Sequence, residues 1–414
     1  MKVGRFVGIV TASMAVVLAL GTGCRSKGSN GYPASAATSQ GGGGGGGTGG
    51  SGGNDPGVPP GGPLASDTIL VSVSQATGQS LSIYGVDTAT GGLGTMAGSP
   101  ADVGVPAGPA ASIALDVANR RLFVASDLAS TIAVTSIDAH GAPVPAAGSP
   151  FATESSGPSA IGLGPNSATL YVGYSGGSSI SEYAVDATSG ALTKLAGSPV
   201  SLGGGRGPAS FARLGDLLFV ACKDTSNIRT IRIAGDGSVS ASGQLTATLT
   251  HPIDLKILGS RLYASLCDCD GNKGSIDVFD INATAGTITR IPGAPFQFAG
   301  LDGFPHLAIH PSGTTLAVSI RTPPQIALFG INADGSVVPQ GSQPLHTGNG
   351  GPQTLAWSAD GQFLYVADNS DTAGTAGIYV LELVSGALRA STPLRYTVPG
   401  GPVGIAVGKV SVAP

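Results

Sequence analysis

Charge is scarce in this sequence. Only 11% of the 414 residues are Asp, Glu, Lys or Arg, and the formal net charge is −4. No Lys/Arg cluster goes beyond a short pair, so the concentrated basic face that phosphate backbones require is missing, and a nucleic-acid partner is excluded. Cysteine is also rare. Of four, Cys24 closes an N-terminal leader, leaving Cys222, Cys267 and Cys269. In an oxidising compartment an odd number leaves one thiol over. A bridge from Cys222 could go to Cys267 or Cys269, and spacing does not choose between them. Nucleophile elbow, phosphate-binding glycine loop and metalloprotease helix are all missing as motifs.

Apolar runs long enough to span a membrane are absent as well. The longest, "FVGIVTASMAVVLALG", is roughly sixteen residues and follows Lys2 and Arg5, which suits the core of an export signal better than a span. It runs into "LALGTGC", which resembles a bacterial lipobox with Gly21 where an aliphatic residue is usual. The resemblance implies a signal peptide over residues 1–23 and a lipid on Cys24, the first mature residue. Arg25 after the Cys implies the outer membrane of a bacterial envelope; without the lipid the protein would be periplasmic or secreted.

Glycine and proline, by contrast, are abundant, at 68 and 29 residues beside 41% hydrophobic ones. That composition is too apolar for a disordered chain and too rich in turn formers for a helical one. Residues 24–63, with "SQGGGGGGGTGGSGGNDPGVPPGGP", cannot bury enough surface to offset their ordering entropy. They read as a tether of roughly 35 Å as a coil, long enough for a folded body to clear a membrane.

From residue 64 to 414 a period of about fifty organises the chain. A four-residue apolar phrase of the type "LFVA" recurs at Ile69, Leu122, Leu170, Leu218, Leu262, Leu316 and Leu364. Each is followed by an octet such as "TIAVTSID" (131–138), "SISEYAVD" (179–186) or "SIDVFDIN" (275–282). Apolar residues at positions two and seven, and usually at four and five, describe a strand buried on both faces. Gly-containing hairpin turns and a more polar fourth strand follow. Before most phrases stands a Pro and a short apolar strand, as in "PSAIGLG" from Pro158 and "PQTLAWS" from Pro352.

A lone four-stranded unit would leave its apolar faces wet, whereas seven set radially cover one another. The first copy lacks its Pro-led strand, and "GGPVGIAVG" (400–408) supplies one at the far end. We therefore expect an all-β, seven-bladed β-propeller of four-stranded antiparallel blades. The C-terminal strand should close the ring by pairing into the first blade. A monomer suffices for such a ring.

"SADGQFLYVADN" (358–369), "HPSGTTLAVS" (310–319) and "VDATSGALTKLAGSPV" (185–200) resemble the bacterial lactonase-type propellers, which include 6-phosphogluconolactonases and have YVTN-repeat surface proteins as relatives. The resemblance spans about residues 66–412. It implies a water activated by a general base and a cation or N–H pair facing the oxyanion, with no cofactor. In the family one entrance reads Pro-Arg-His with a Glu after the following strand, and another strand ends in Asn-Arg. Here those places hold Phe304-Pro305-His306, then Arg321, then Asp368 and Asn369.

The loops that follow the apolar phrases vary while the phrases do not, so those loops are what the scaffold displays. Candidate catalytic residues are His306, with Arg321 from the same blade as its expected neighbour. Candidate ligand-binding residues are Arg206, Lys223, Asp224, His251 and Asp368. No metal site is expected: in "CDCDGNKG" (267–274) Asp268, Asp270 and Asn272 alternate like calcium ligands, but position twelve is Phe279 rather than Glu. Two functions follow as expectations. One is an envelope module presenting its loop face to a glycan, peptide or envelope protein; the alternative is hydrolysis of a sugar lactone or related ester.

Overall fold

The computed structural model of the protein describes residues 68–74, 81–104, 112–240, 243–267, 274–298, 305–347, 351–370, 374–398 and 400–410. The leader, Cys24, the tether, Cys269 and the Asp268–Asn272 segment lie outside these residues. Within them, the strands form seven antiparallel sheets, and in six of them four strands follow in sequence order from the leading edge outward. These are the seven blades. The fourth blade, for example, comprises Pro208–Leu214, Leu217–Cys222, Asn227–Arg232 and Leu245–Ala247. In three blades a two-residue segment (Phe151–Ala152, Val200–Ser201, Phe296–Gln297) adds to the third strand beyond the fourth.

The first blade is assembled from both ends of the chain. Pro402–Lys409 pairs antiparallel with Thr68–Ser74, from Thr68 opposite Lys409 to Ser74 opposite Pro402. The leading strands of consecutive blades touch one another all the way round, including Pro352–Trp357 against Pro402–Lys409 and the latter against Ser112–Asp116. They therefore surround the axis. Second strands such as Leu122–Ala125 and Leu364–Ala367 are wholly buried, while leading strands are half-buried, as expected of strands that wall a channel.

Seven apolar clusters occupy the seven junctions between blades. Strand alternation divides each apolar phrase between two of them: Ile69, Val71 and Val73 pack toward the second blade, and Leu70 toward the seventh. That is why the octets and phrases are apolar at consecutive positions. On one face, side chains also latch five of the blades to the next blade's outer hairpin. Tyr171 Oη donates to Gly237 O (2.8 Å), Arg261 Nη1 to Ala333 O (2.8 Å), and Tyr365 Oη to Gly91 O (3.2 Å). In the first three blades the hairpin begins with the Asp that ends the octet, whose carboxylate accepts a backbone N–H two residues on, as Asp87 does from Ala89 and Asp186 from Thr188.

Candidate active site

The opposite face carries the Pro-led entrances. There, one position on the leading strands of four blades links each to the next. Ser112 Oγ in the second blade accepts the Ile161 N–H of the third (3.3 Å), and Thr354 Oγ1 in the seventh accepts the Ile405 N–H of the first (2.9 Å). Ser210 in the fourth blade accepts the Leu255 N–H of the fifth (3.3 Å). In the fifth blade the same position holds a carboxylate, Asp254, whose Oδ2 accepts the Leu307 N–H of the sixth (3.0 Å). In the sixth it is His306, facing Ser319 across the strand pair.

Asp254 and His306 are thus ring neighbours. His306 Nδ1 lies 3.8 Å from Asp254 Oδ2, with the His side chain 28% exposed and the Asp 7%. Lys256 Nζ, two residues along the same strand, is 2.8 Å from both carboxylate oxygens. Asp254 Oδ1 further accepts from Ser210 Oγ (3.0 Å) and its neighbour Leu255 N–H (2.9 Å). Ser265 Oγ accepts the Asp254 N–H (3.1 Å) and donates to Pro305 O (2.6 Å), tying the His306 entrance to the fifth blade. Burial pushes the Asp254 carboxyl up, but the Lys256 ammonium and His306 outweigh it and hold the group well below the usual carboxylate range. Asp254 is therefore a fixed anion with its lone pairs committed, suited to orienting a His and a Lys rather than to taking up a proton.

The other expected residues are distributed. Arg321, expected beside His306, is not among the partners of its side chain; strand order places Arg321 at the top of the sixth blade opposite Pro324. The charged partner comes from the preceding blade because the junction, not the blade, brings leading strands together. Asp368, expected on the displayed rim, is fully buried. Its Oδ2 accepts from His346 Nε2 (3.0 Å) and its Oδ1 from the Ser370 N–H (2.9 Å). His251 is half-buried with Nδ1 3.3 Å from Cys267 O. Arg206 is exposed, donating from Nη2 to Gly176 O (3.3 Å), and lies next to Lys223 and Asp224 through the bonds Lys223 N–H to Gly207 O (3.1 Å) and Asp224 N–H to Arg206 O (3.2 Å).

Cys222 and Cys267 are both buried and are not bridged to each other. Burial pushes the Cys222 thiol up to about 12, which makes it unreactive. Sequence reading overlooked Asp254, Lys256 and His346. A signal for the first two was present: "PIDLK" sets an acid and a lysine two apart in a strand where most other copies carry hydroxyls or apolar residues. His346 lies outside every repeated phrase and gave no such signal.

Residues 107–254 and 272–399 match the model of the family described as lactonase, 7-bladed beta-propeller. The chain belongs to that family. A curated relative, the 6-phosphogluconolactonase of Serratia proteamaculans (strain 568), is 26% identical over 199 residues, 46% of this chain and 57% of the relative. The chain thus matches little more than half of that relative's length. The periplasmic gluconolactonase of Pseudomonas aeruginosa superposes with a TM-score of 0.65 at 16% identity, over 82% of this chain and 98% of that one. A protein from Lactobacillus plantarum does so with 0.66 at 16% identity, over 82% and 98%. At that identity the likeness is one of fold.

Proposed function

We propose that this lactonase-family propeller is an exported hydrolase of unphosphorylated sugar lactones, acting on the channel wall between the fifth and sixth blades. One observation carries the reading: a buried, fully bonded carboxylate, Asp254, stands behind a partly exposed His306 and a Lys256 on the innermost strands. With Nδ1 turned to Asp254, His306 has Nε2 left to accept a proton from water. The water oxygen bonds to the lactone carbonyl carbon, and the proton passes to Nε2. The tetrahedral oxyanion forms within the field of Lys256. The ring C–O bond then breaks, and His306 returns its proton to the departing ring oxygen, leaving the hydroxy acid. The 3.8 Å Asp254–His306 separation tightens when substrate fills the site, as catalytic hydrogen bonds of free enzymes commonly do.

The export leader supports an unphosphorylated substrate, since phosphorylated sugars belong to the cytosol, and "LALGTGC" supports a lipid anchor on Cys24. The test is turnover of an aldonolactone panel, with and without a 6-phosphate, by the full chain and by His306→Ala. Turnover of the unphosphorylated lactones, reduced at least about 100-fold in the variant, is expected; no turnover, or an unaffected variant, overturns the reading.

A specific observation favours a second reading. Arg206 bonds to Gly176 O and Asp368 to His346, so neither side chain is bonded to Asp254 or His306. That arrangement suits a module that binds a glycan, peptide or envelope protein without turning it over. Saturable binding to the rim with no lactone turnover selects it.

A further inference from the structure

A second site lies in the fourth blade, at the loop joining it to the third. Arg229, in the strand Asn227–Arg232, is 7% exposed. A buried guanidinium ordinarily has a carboxylate or several carbonyls as partners, because desolvating an unpaired cation costs several kcal/mol, about 3–5 in measured cases. Among the described residues no carboxylate ion-pairs with Arg229, and its Nε is buried without an acceptor. Two residues earlier on the same side of the strand, Asn227 is also 7% exposed. Its Nδ2 donates to Thr225 O (2.9 Å), and its Oδ1 is buried with no donor.

The loop over this pair is "LGGGRGP" (202–208). Its glycines are required by contact. A Cβ on Gly203 would stand 2.9 Å from Arg229 Nη2, and one on Gly205 would stand 2.5 Å from Cys222 Sγ. Gly203 (φ 55°) also occupies the left-handed region. The bare backbone turn therefore packs directly on the guanidinium, where any side chain would collide with it, and it supplies that group no carboxylate. Arg206 in the loop and Lys223 beside it add two cations, against the single carboxylate of Asp224.

We propose that Arg229 and Asn227 form a binding site for a small hydroxy acid. The guanidinium takes the ligand's carboxylate through its paired donors, and Asn227 Oδ1 accepts a hydroxyl adjacent to it. Arg206 and Lys223 add long-range attraction. This site does not depend on the lactone reading: it uses no residue of the channel wall, and it binds without reacting.

The test is thermal unfolding of the full chain in sodium gluconate against sodium acetate and sodium chloride at matched ionic strength. Gluconate is expected to raise the midpoint saturably, and acetate less, for want of the hydroxyl. Arg229→Met should abolish the gluconate response and, without gluconate, leave the midpoint unchanged or raised, since an apolar residue replaces an unpaired buried cation. Should that variant fail to fold, Asn227→Leu and Arg206→Gln are expected to weaken the apparent Kd, the first at least about tenfold. Arg213→Gln, whose side chain serves Leu163 O (3.1 Å) and Gly215 O (2.7 Å), should respond as the parent does. No saturable gluconate shift in the parent, an equal shift in Arg229→Met, or an equal shift with chloride overturns the proposal.

Discussion

Ser112 and Asp254 occupy the same place in two different blades and do the same structural work. Each accepts a backbone N–H from the leading strand of the next blade, Ile161 in one case and Leu307 in the other. At the junction of the second and third blades the matter ends there. At the junction of the fifth and sixth, the carboxylate also gathers Lys256, Ser210 and His306. A repeated scaffold can thus acquire a charged site by one substitution at a position it already uses for cohesion. The fold around it stays the same, because the bond to the neighbouring backbone is kept. At the junction of the seventh and first blades Thr354 makes the same hydroxyl link, to the Ile405 N–H, but the strand that receives it is the one borrowed from the far end of the chain.

The largest loss is expected at the first blade. Deleting residues 402–414 removes the strand paired with Thr68–Ser74 and exposes two blade faces, so the product should fail to fold cooperatively, as judged by circular dichroism on heating. Asp254→Ala comes next. It leaves the Leu307 N–H without its acceptor and takes the counter-charge from a partly exposed Lys256, a loss of about 1–3 kcal/mol in denaturant unfolding. Asp254→Ser rebuilds the second blade's arrangement in the fifth. It should recover part of that loss through the neutral hydrogen bond while leaving lactone turnover as low as in Asp254→Ala. A variant that turns over lactone normally would separate the carboxylate from the chemistry.

The pH dependence sharpens the contrast further. The folded-state pKa of Asp254 is depressed below its unfolded value near 3.9, so its contribution is fully present above about pH 4 and is lost as pH falls through the folded pKa. The stability difference between the parent chain and Asp254→Ser should therefore be flat from pH 7 to 5 and drift below about 4. The smallest effect belongs to Ser112→Ala, expected at about 1 kcal/mol for a partly buried neutral hydrogen bond, with no pH dependence.

Much of the architecture was legible because it repeats. The phrases at Leu122 and Leu364 are apolar at consecutive positions, and only a strand covered on both sides accounts for that. The tail strand at Pro402 was legible as the piece missing before Ile69. Site residues were legible only as types. His306 stood out by its chemistry, but its partner was sought within its own blade, at Arg321, whereas the Asp254 carboxylate reaches it across a junction. Asp368 looked like a displayed acid until its place beneath His346 showed it to be internal. The cysteines left a bridge from Cys222 open to either Cys267 or Cys269; Cys222 and Cys267 end the second strands of neighbouring blades without joining, and Cys269 lies outside the described residues.

Taken alone, the order of residues determined the number of blades, the strands within each and the closure of the ring. Those properties follow from local alternation and from the need to cover apolar faces, and both are written along the chain. Which charged groups meet was decided by the tertiary structure alone. Asp254 and His306 are about fifty residues apart, and it is the angle and height at which one blade docks on the next that brings an imidazole to a carboxylate or leaves Arg229 without one.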